Sequence, residues 1–167
     1  MLPKLTIGDT QDGVPELRPD SRFNVDARII SEHFSLGVDQ FTVIAETEPD
    51  ACIDYAIMAE VDRFGWYLKN QPGIRDVMSL LDLAKLAHAG LNEGRLNAEI
   101  VPRNRFTLAQ STALVPTTSG MLNEDCSALA VMGFSVDHKA DTITALVDAV
   151  EHYEAEMKQE DRVTFRL

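Results

Sequence analysis

Asp50-Ala51-Cys52-Ile53-Asp54-Tyr55-Ala56-Ile57-Met58-Ala59-Glu60-Val61-Asp62-Arg63-Phe64-Gly65-Trp66-Tyr67-Leu68 is the stretch on which the fold turns. Ile53, Ile57, Val61, Phe64 and Leu68 step by 4, 4, 3 and 4 residues, which places them on one face of an α-helix. Asp50 stands as its cap, with acidic groups near the positive helix end. Asn70-Gln71-Pro72-Gly73 terminates it. A helix with a single apolar face needs a sheet or another helix to cover that face.

Both neighbours of this helix read as strands. Val38 to Thr47 is rich in β-branched and aromatic residues, and Ile74 to Leu80 resumes that pattern. The same order recurs near the end of the chain. Cys126 to Asp137 reads as a strand carrying Leu129, Val131 and Phe134. Ala140 to Met157 reads as a helix with Ile143, Leu146, Val147, Val150, Tyr153 and Met157 facing inward. Glu160-Asp161 turns the chain, and Arg162 to Leu167 is a last strand. Two strand–helix–strand halves of this kind predict an α+β fold, a ferredoxin-like split β-α-β sandwich, with both helices on one side of an antiparallel sheet.

Residues 80–124 lie between the halves and are too long for a hairpin loop; they read as a helical insertion. Ser79-Leu80-Leu81-Asp82 resembles a capping box and opens a helix that ends near Gly90 to Gly94. Thr107 to Val115 reads as a second helix and Thr117 to Gly120 as a loop. Residues 1–37 lead into the domain of residues 38–167. Within them Lys4 to Gly8 reads as a short strand and Asp9 to Pro19 as a loop. A helix opened by Asp20-Ser21 follows, with Phe23, Ala27, Ile30 and Phe34 at helical spacing and a stop at Gly37.

Fifteen basic residues against 27 acidic ones leave a formal charge of −12, which disfavours nucleic acid and anionic lipid surfaces as partners. Apolar residues make up 45% of the chain and charged ones 25%, a composition that folds without a metal or a dense disulfide net. No window approaches the ~18–20 unbroken apolar residues of a membrane span. Met1 to Gly13 has no signal-peptide pattern.

The search for chemistry yields no catalytic set, metal cluster or cofactor motif. His33, His88, His138 and His152 show no metal-ligand spacing. No phosphate-cradling glycine loop and no nucleophile elbow is present. The carboxylates Glu46, Glu48, Asp50 and Asp54 read as solvated groups or helix-end charges. Trp66 and Tyr67 follow Phe64 too closely to share its apolar face. They either pack under the N-terminal helix or the insertion, or form a contact surface for a partner or an amphiphile. Phe106, in a stretch with Arg103 and Arg105, is a further candidate for such a surface.

The topology also makes a statement about the two cysteines. Cys52 follows the first strand and Cys126 opens the third, and in a split β-α-β sheet these strands are antiparallel neighbours. The two residues therefore come close. Two outcomes stay open: a pair of buried thiols, or a disulfide worth about 4 kcal/mol by the chain-entropy model.

Several short blocks together resemble a known family. They are Leu17-Arg18-Pro19-Asp20-Ser21-Arg22-Phe23-Asn24, Gly37-Val38-Asp39-Gln40-Phe41-Thr42-Val43, and Ile53-Asp54-Tyr55 with Asp62-Arg63-Phe64. Pro72-Gly73-Ile74 leading into Val77-Met78-Ser79-Leu80, and Asn123-Glu124-Asp125-Cys126-Ser127, continue the pattern. The blocks resemble the first large periplasmic loop of exporters of the resistance-nodulation-division (RND) superfamily, in the branch similar to the mycobacterial large membrane proteins and hopanoid transporters. The resemblance covers nearly the whole chain.

It implies a periplasmic porter domain of a large, proton-driven inner-membrane exporter of hydrophobic or amphiphilic compounds. Its partners would be the transmembrane helices and second periplasmic loop of the same transporter, with homo-oligomers possible. The family's proton-carrying acidic residues lie in spans that this sequence does not contain, so none is carried over. The chain then reads as a loop excised from a longer protein. Periplasmic placement favours the Cys52–Cys126 bridge over free thiols. A free-standing ferredoxin-like domain that binds a ligand or a protein is the alternative, and a small enzyme on the same sandwich a distant third.

Overall fold

The computed structural model describes residues 17–33 and 39–167. The expected strand at Lys4 to Gly8, Phe34 and the helix stop at Gly37 lie outside the described residues. The first helix, α1 (Arg22–His33), follows Ser21, whose Oγ accepts the Asn24 N–H at 3.3 Å. Its Phe23 and Ile30 are exposed.

The sheet begins with β1 (Asp39–Glu46), in which Val43 and Ala45 are wholly buried. The chain then departs from the expected helix start. Asp50 takes a left-handed conformation (φ 66°) and its side chain caps nothing; a 3-10 turn over Ala51–Ile53 follows. Asp54 is the cap of α2 (Tyr55–Lys69), its Oδ1 accepting the N–H groups of Ala56 at 2.9 Å and Ile57 at 3.2 Å. The correction has a simple cause: the free N–H groups of a helix lie two and three residues beyond its cap, and the 3-10 turn moves those positions four residues downstream. Ile57, Val61, Phe64 and Leu68 are buried as their spacing predicts.

β2 (Ile74–Ser79) leads directly into α3 (Leu80–Leu91) through a capping box. The Ser79 N–H donates to Asp82 Oδ2 at 2.8 Å, and Ser79 Oγ accepts the Leu81 N–H at 3.2 Å. α4 (Arg105–Thr112) is capped by Asn104, whose Oδ1 accepts from Phe106 and Thr107. A 3-10 turn spans Thr117–Ser119. β3 (Ala128–Ser135), α5 (Ala140–His152) and β4 (Thr164–Arg166) complete the chain. α5 continues as a π-helical turn over Tyr153–Met157. That turn leaves Met157 exposed, and Ile143 is exposed near the other end; both were expected inward.

The four strands form one antiparallel sheet in the order β2-β3-β1-β4. This is a mixed α+β architecture with five α-helices among the described residues. β4 pairs with β1 only through Ile44, Ala45 and Glu46, so the last strand is shorter than Arg162 to Leu167 suggested. Phe64 of α2 stacks on Phe165 of β4 (centroids 3.9 Å) and meets Tyr153, just past α5, edge-on at 5.0 Å. One aromatic cluster thus draws α2, the end of α5 and β4 onto the same side of the sheet.

A carboxylate is buried in that core. Glu60 is inaccessible to solvent, and its oxygens accept from Tyr153 Oη at 2.6 Å, Arg63 at 2.7 Å and the Gln159 N–H at 3.3 Å. Burial, and then the Glu60 carboxylate, push the Tyr153 phenol far above its usual pKa.

Candidate functional site

The face of α2 opposite its apolar stripe forms the wall of a groove. Ala59, Asp62, Trp66 and Lys69 recur there at steps of 3, 4 and 3. Arg75 and Val77 of β2, and Asp82 and Lys85 of α3, supply the other wall. The space between has a volume of about 790 Å³ and is open to solvent. A second hollow of about 650 Å³ adjoins it and shares Ala59, Asp62 and Lys85. Tyr55, His88, Pro102 and Arg103 line its far end, where the Arg103 guanidinium lies 5.6 Å from the Tyr55 ring centre. Together the hollows follow the length of α2.

An ion pair divides them. Lys85 Nζ lies 2.6 Å from Asp62 Oδ1 and 3.5 Å from Asp82 Oδ1. Burial works against the Lys85 charge, but Asp62 and Asp82 outweigh it and hold the ammonium above the ordinary lysine pKa. Lys69 faces Asp76 at 2.6 Å in a more exposed pair. His88 Nδ1 is 2.7 Å from the carbonyl oxygen of Ala98, which ties α3 to the loop after it. The walls therefore carry charged side chains beside apolar ones.

The residues singled out from sequence fall in three different settings. Trp66 is 70% exposed on the rim of the larger hollow. Tyr67 packs on α5 and the turn after it: its ring lies 5.0 Å from Tyr153 and its Oη donates to the Ala149 carbonyl at 3.2 Å. Burial raises the Tyr67 phenol pKa. Phe106 is 84% exposed on α4 and lines neither hollow. Lys69, Arg75 and Lys85 escaped the sequence reading. Lys69 could have been found from its spacing to Trp66; Arg75 and Lys85 depend on how β2 and α3 pack against α2.

Cys52 and Cys126 are joined by a disulfide, with their Cα atoms 5.7 Å apart. The geometry around it follows from the β1–β3 ladder. Thr47 N–H donates to Ser127 O and Asp50 N–H to Asp125 O, both at 2.8 Å, so the ladder continues to the edge of the bridge. Thr112 Oγ1 lies 3.5 Å from the Cys52 carbonyl oxygen, which brings the end of α4 to the same place.

Among the described residues no group of three or more His, Cys, Asp or Glu side chains is arranged to hold a metal ion. His138 Nδ1 lies 2.9 Å from Asp39 Oδ1, while His33 and His152 are exposed. No described helix is long and apolar enough to cross a membrane. No family model, curated protein or solved structure matches the chain.

Proposed function

We propose that the chain is a periplasmic porter domain of an RND-type exporter, with a ferredoxin-like split β-α-β core. It binds or passes a hydrophobic or amphiphilic compound and catalyses no covalent step. The observation that carries this reading is the interleaving of two β-α-β units in one sheet. β1-α2-β2 and β3-α5-β4 each contribute an inner and an outer strand, in the order β2-β3-β1-β4. The Cys52–Cys126 disulfide supports an oxidising compartment. The blocks quoted above supply the family.

A second reading is a free-standing ferredoxin-like domain that binds a ligand or a protein. The two readings part on what flanks the domain. The exporter reading expects apolar spans of ~20 residues encoded before Met1 and after Leu167, and recovery of the full-length protein in the inner membrane. A stop codon directly after Leu167, with no upstream span, overturns it.

A further inference from the structure

We propose that Glu154 and Lys158 lock the outer edge of β4, and that the strand they keep away is β4 of a second copy of this chain. The inference is independent of the exporter reading and of the groove along α2.

The pairing of the sheet fixes which way each backbone group points. Successive residues of an antiparallel strand turn their N–H and C=O groups to alternate sides. Thr47 N–H donates to Ser127 O, so the odd-numbered residues of β1 face β3, and Ile44 and Glu46 face β4. Their partners in β4 are Arg166 and Thr164. Val163, Phe165 and Leu167 therefore turn their backbone groups outward, at the end of the sheet. Such an edge is a template for another strand.

Side chains occupy that template. Phe165 N–H donates to Glu154 Oε2 at 3.1 Å, and Val163 O accepts from Lys158 Nζ at 3.0 Å. Glu154 Oε1 and Lys158 Nζ also pair with each other. The two side chains offer β4 one acceptor and one donor, as a neighbouring strand would. Glu154 stands in the π-helical turn after α5, and Lys158 closes that turn, its N–H donating to Tyr153 O at 2.9 Å. Both side chains are mostly shielded from water, so their charge-assisted bonds count for more than those of a surface pair.

The opposite edge of the sheet is treated in the same way. Val136 N–H donates to Gly73 O, so the even-numbered residues of β3 face β2, and Asp76 and Met78 face β3 in return. Val77 and Ser79 point outward. Val77 N–H goes to Asp76 Oδ1 at 2.9 Å and Ser79 N–H to Asp82 Oδ2 at 2.8 Å. On both edges an outward N–H thus ends on a carboxylate. On β2 those carboxylates are local. On β4 the acceptor comes from another element, 11 residues earlier, and can be withdrawn without unmaking the strand.

A second copy supplies the strand that fits. An antiparallel edge complements itself about a two-fold axis. With the axis at Phe165, the two copies of Phe165 exchange N–H···O bonds, and Leu167 N–H of each copy meets Val163 O of the other. Phe165 N–H and Val163 O are the groups that Glu154 and Lys158 hold. The hollow of about 500 Å³ between α5 and β4, lined by Val147, Val150, Phe165 and Leu167 among others, gives apolar surface for the second copy to cover.

The test is the oligomeric state of the 167-residue chain, read by sedimentation over a concentration series. The wild type is expected to stay monomeric, and the double variant Glu154→Ala with Lys158→Ala to form dimers. Glu154→Gln keeps an oxygen for Phe165 N–H and is expected to stay monomeric. Adding Leu167→Pro to the double variant is expected to restore the monomer, because it removes an outward N–H and leaves the bonds to β1 intact. A double variant that keeps its circular dichroism and remains monomeric overturns the proposal. So does dimerisation that Leu167→Pro does not reverse, or a wild type that already dimerises and is made monomeric by Leu167→Pro. Amide exchange in the wild type decides the matter should the double variant fail to fold. Phe165 N–H is expected to be protected as Arg166 N–H is, and exchange at the rate of an open amide overturns the lock.

Discussion

Phe41 and Gly133 are paired across β1 and β3, and the Phe41 ring lies where a side chain at 133 would stand. A Cβ built on Gly133 would meet Phe41 Cζ at 2.1 Å. The ring covers a bare stretch of the central strand, and the glycine makes room for it. Gly133→Ala is expected to lower stability by about 1–3 kcal/mol through overpacking, read by urea denaturation. Adding Phe41→Leu should return part of that loss; strict additivity of the two costs would mean that they do not share a site. Neither partner advertises this in the sequence, because the contact joins residues 92 positions apart. Trp66 and Tyr67 teach the same lesson. They are adjacent aromatic residues, yet one is solvent-exposed and the other hydrogen-bonds Ala149. About 100° of helix rotation separates them, and only the position of α5 decides which one is covered.

At the scale of elements, helix identities followed from apolar spacing and helix starts were less secure. The capping box of α3 was legible because its Ser79 and Asp82 are local partners. The cap of α2 was displaced from Asp50 to Asp54 because the sequence offers two aspartates four residues apart, and the 3-10 turn between them selects the second. Asp54 is further held by Arg162, whose Nη1 lies 2.8 Å from Asp54 Oδ2. The hydrogen bond from Arg162, aided by the N–H groups of Ile57 and Ala56, keeps the Asp54 pKa below the ordinary aspartate value. Its folded pKa is thus below its unfolded one. The stabilisation is complete above the unfolded value near 4 and is lost as pH falls through the depressed folded value. Asp54→Ala is expected to cost about 1 kcal/mol at pH 7. Asp54→Asn keeps a capping oxygen but removes the titration. Its stability relative to wild type should therefore recover between neutral and strongly acidic pH, as urea midpoints at each pH will show. A constant difference across that range would rule out this role for the charge.

For the whole molecule, the disulfide decides how the insertion is held. Cys52 and Cys126 are 74 residues apart, and the bridge fastens the turn before α2 to the approach of β3. The segment between them includes α2, β2, α3 and α4, hence both walls of the groove. Removing the link by Cys52→Ser with Cys126→Ser is expected to lower stability by about 4 kcal/mol, measured by chemical denaturation. Mass measurement of the non-reduced wild type should show two protons fewer than the thiol form; two free thiols in protein made under oxidising conditions would contradict the bridge. The approach of the cysteines was readable from strand order alone, since antiparallel neighbours bring the end of one strand to the start of the other. By itself the sequence determined what local periodicity and chain order control: the two strand–helix–strand halves, the insertion between them and the meeting of the cysteines. Tertiary structure alone decided the groove. Its walls come from α2, β2 and α3, and its charges become neighbours only when those elements pack. Spacing within one helix fixes which residues share a face, but not what stands opposite that face.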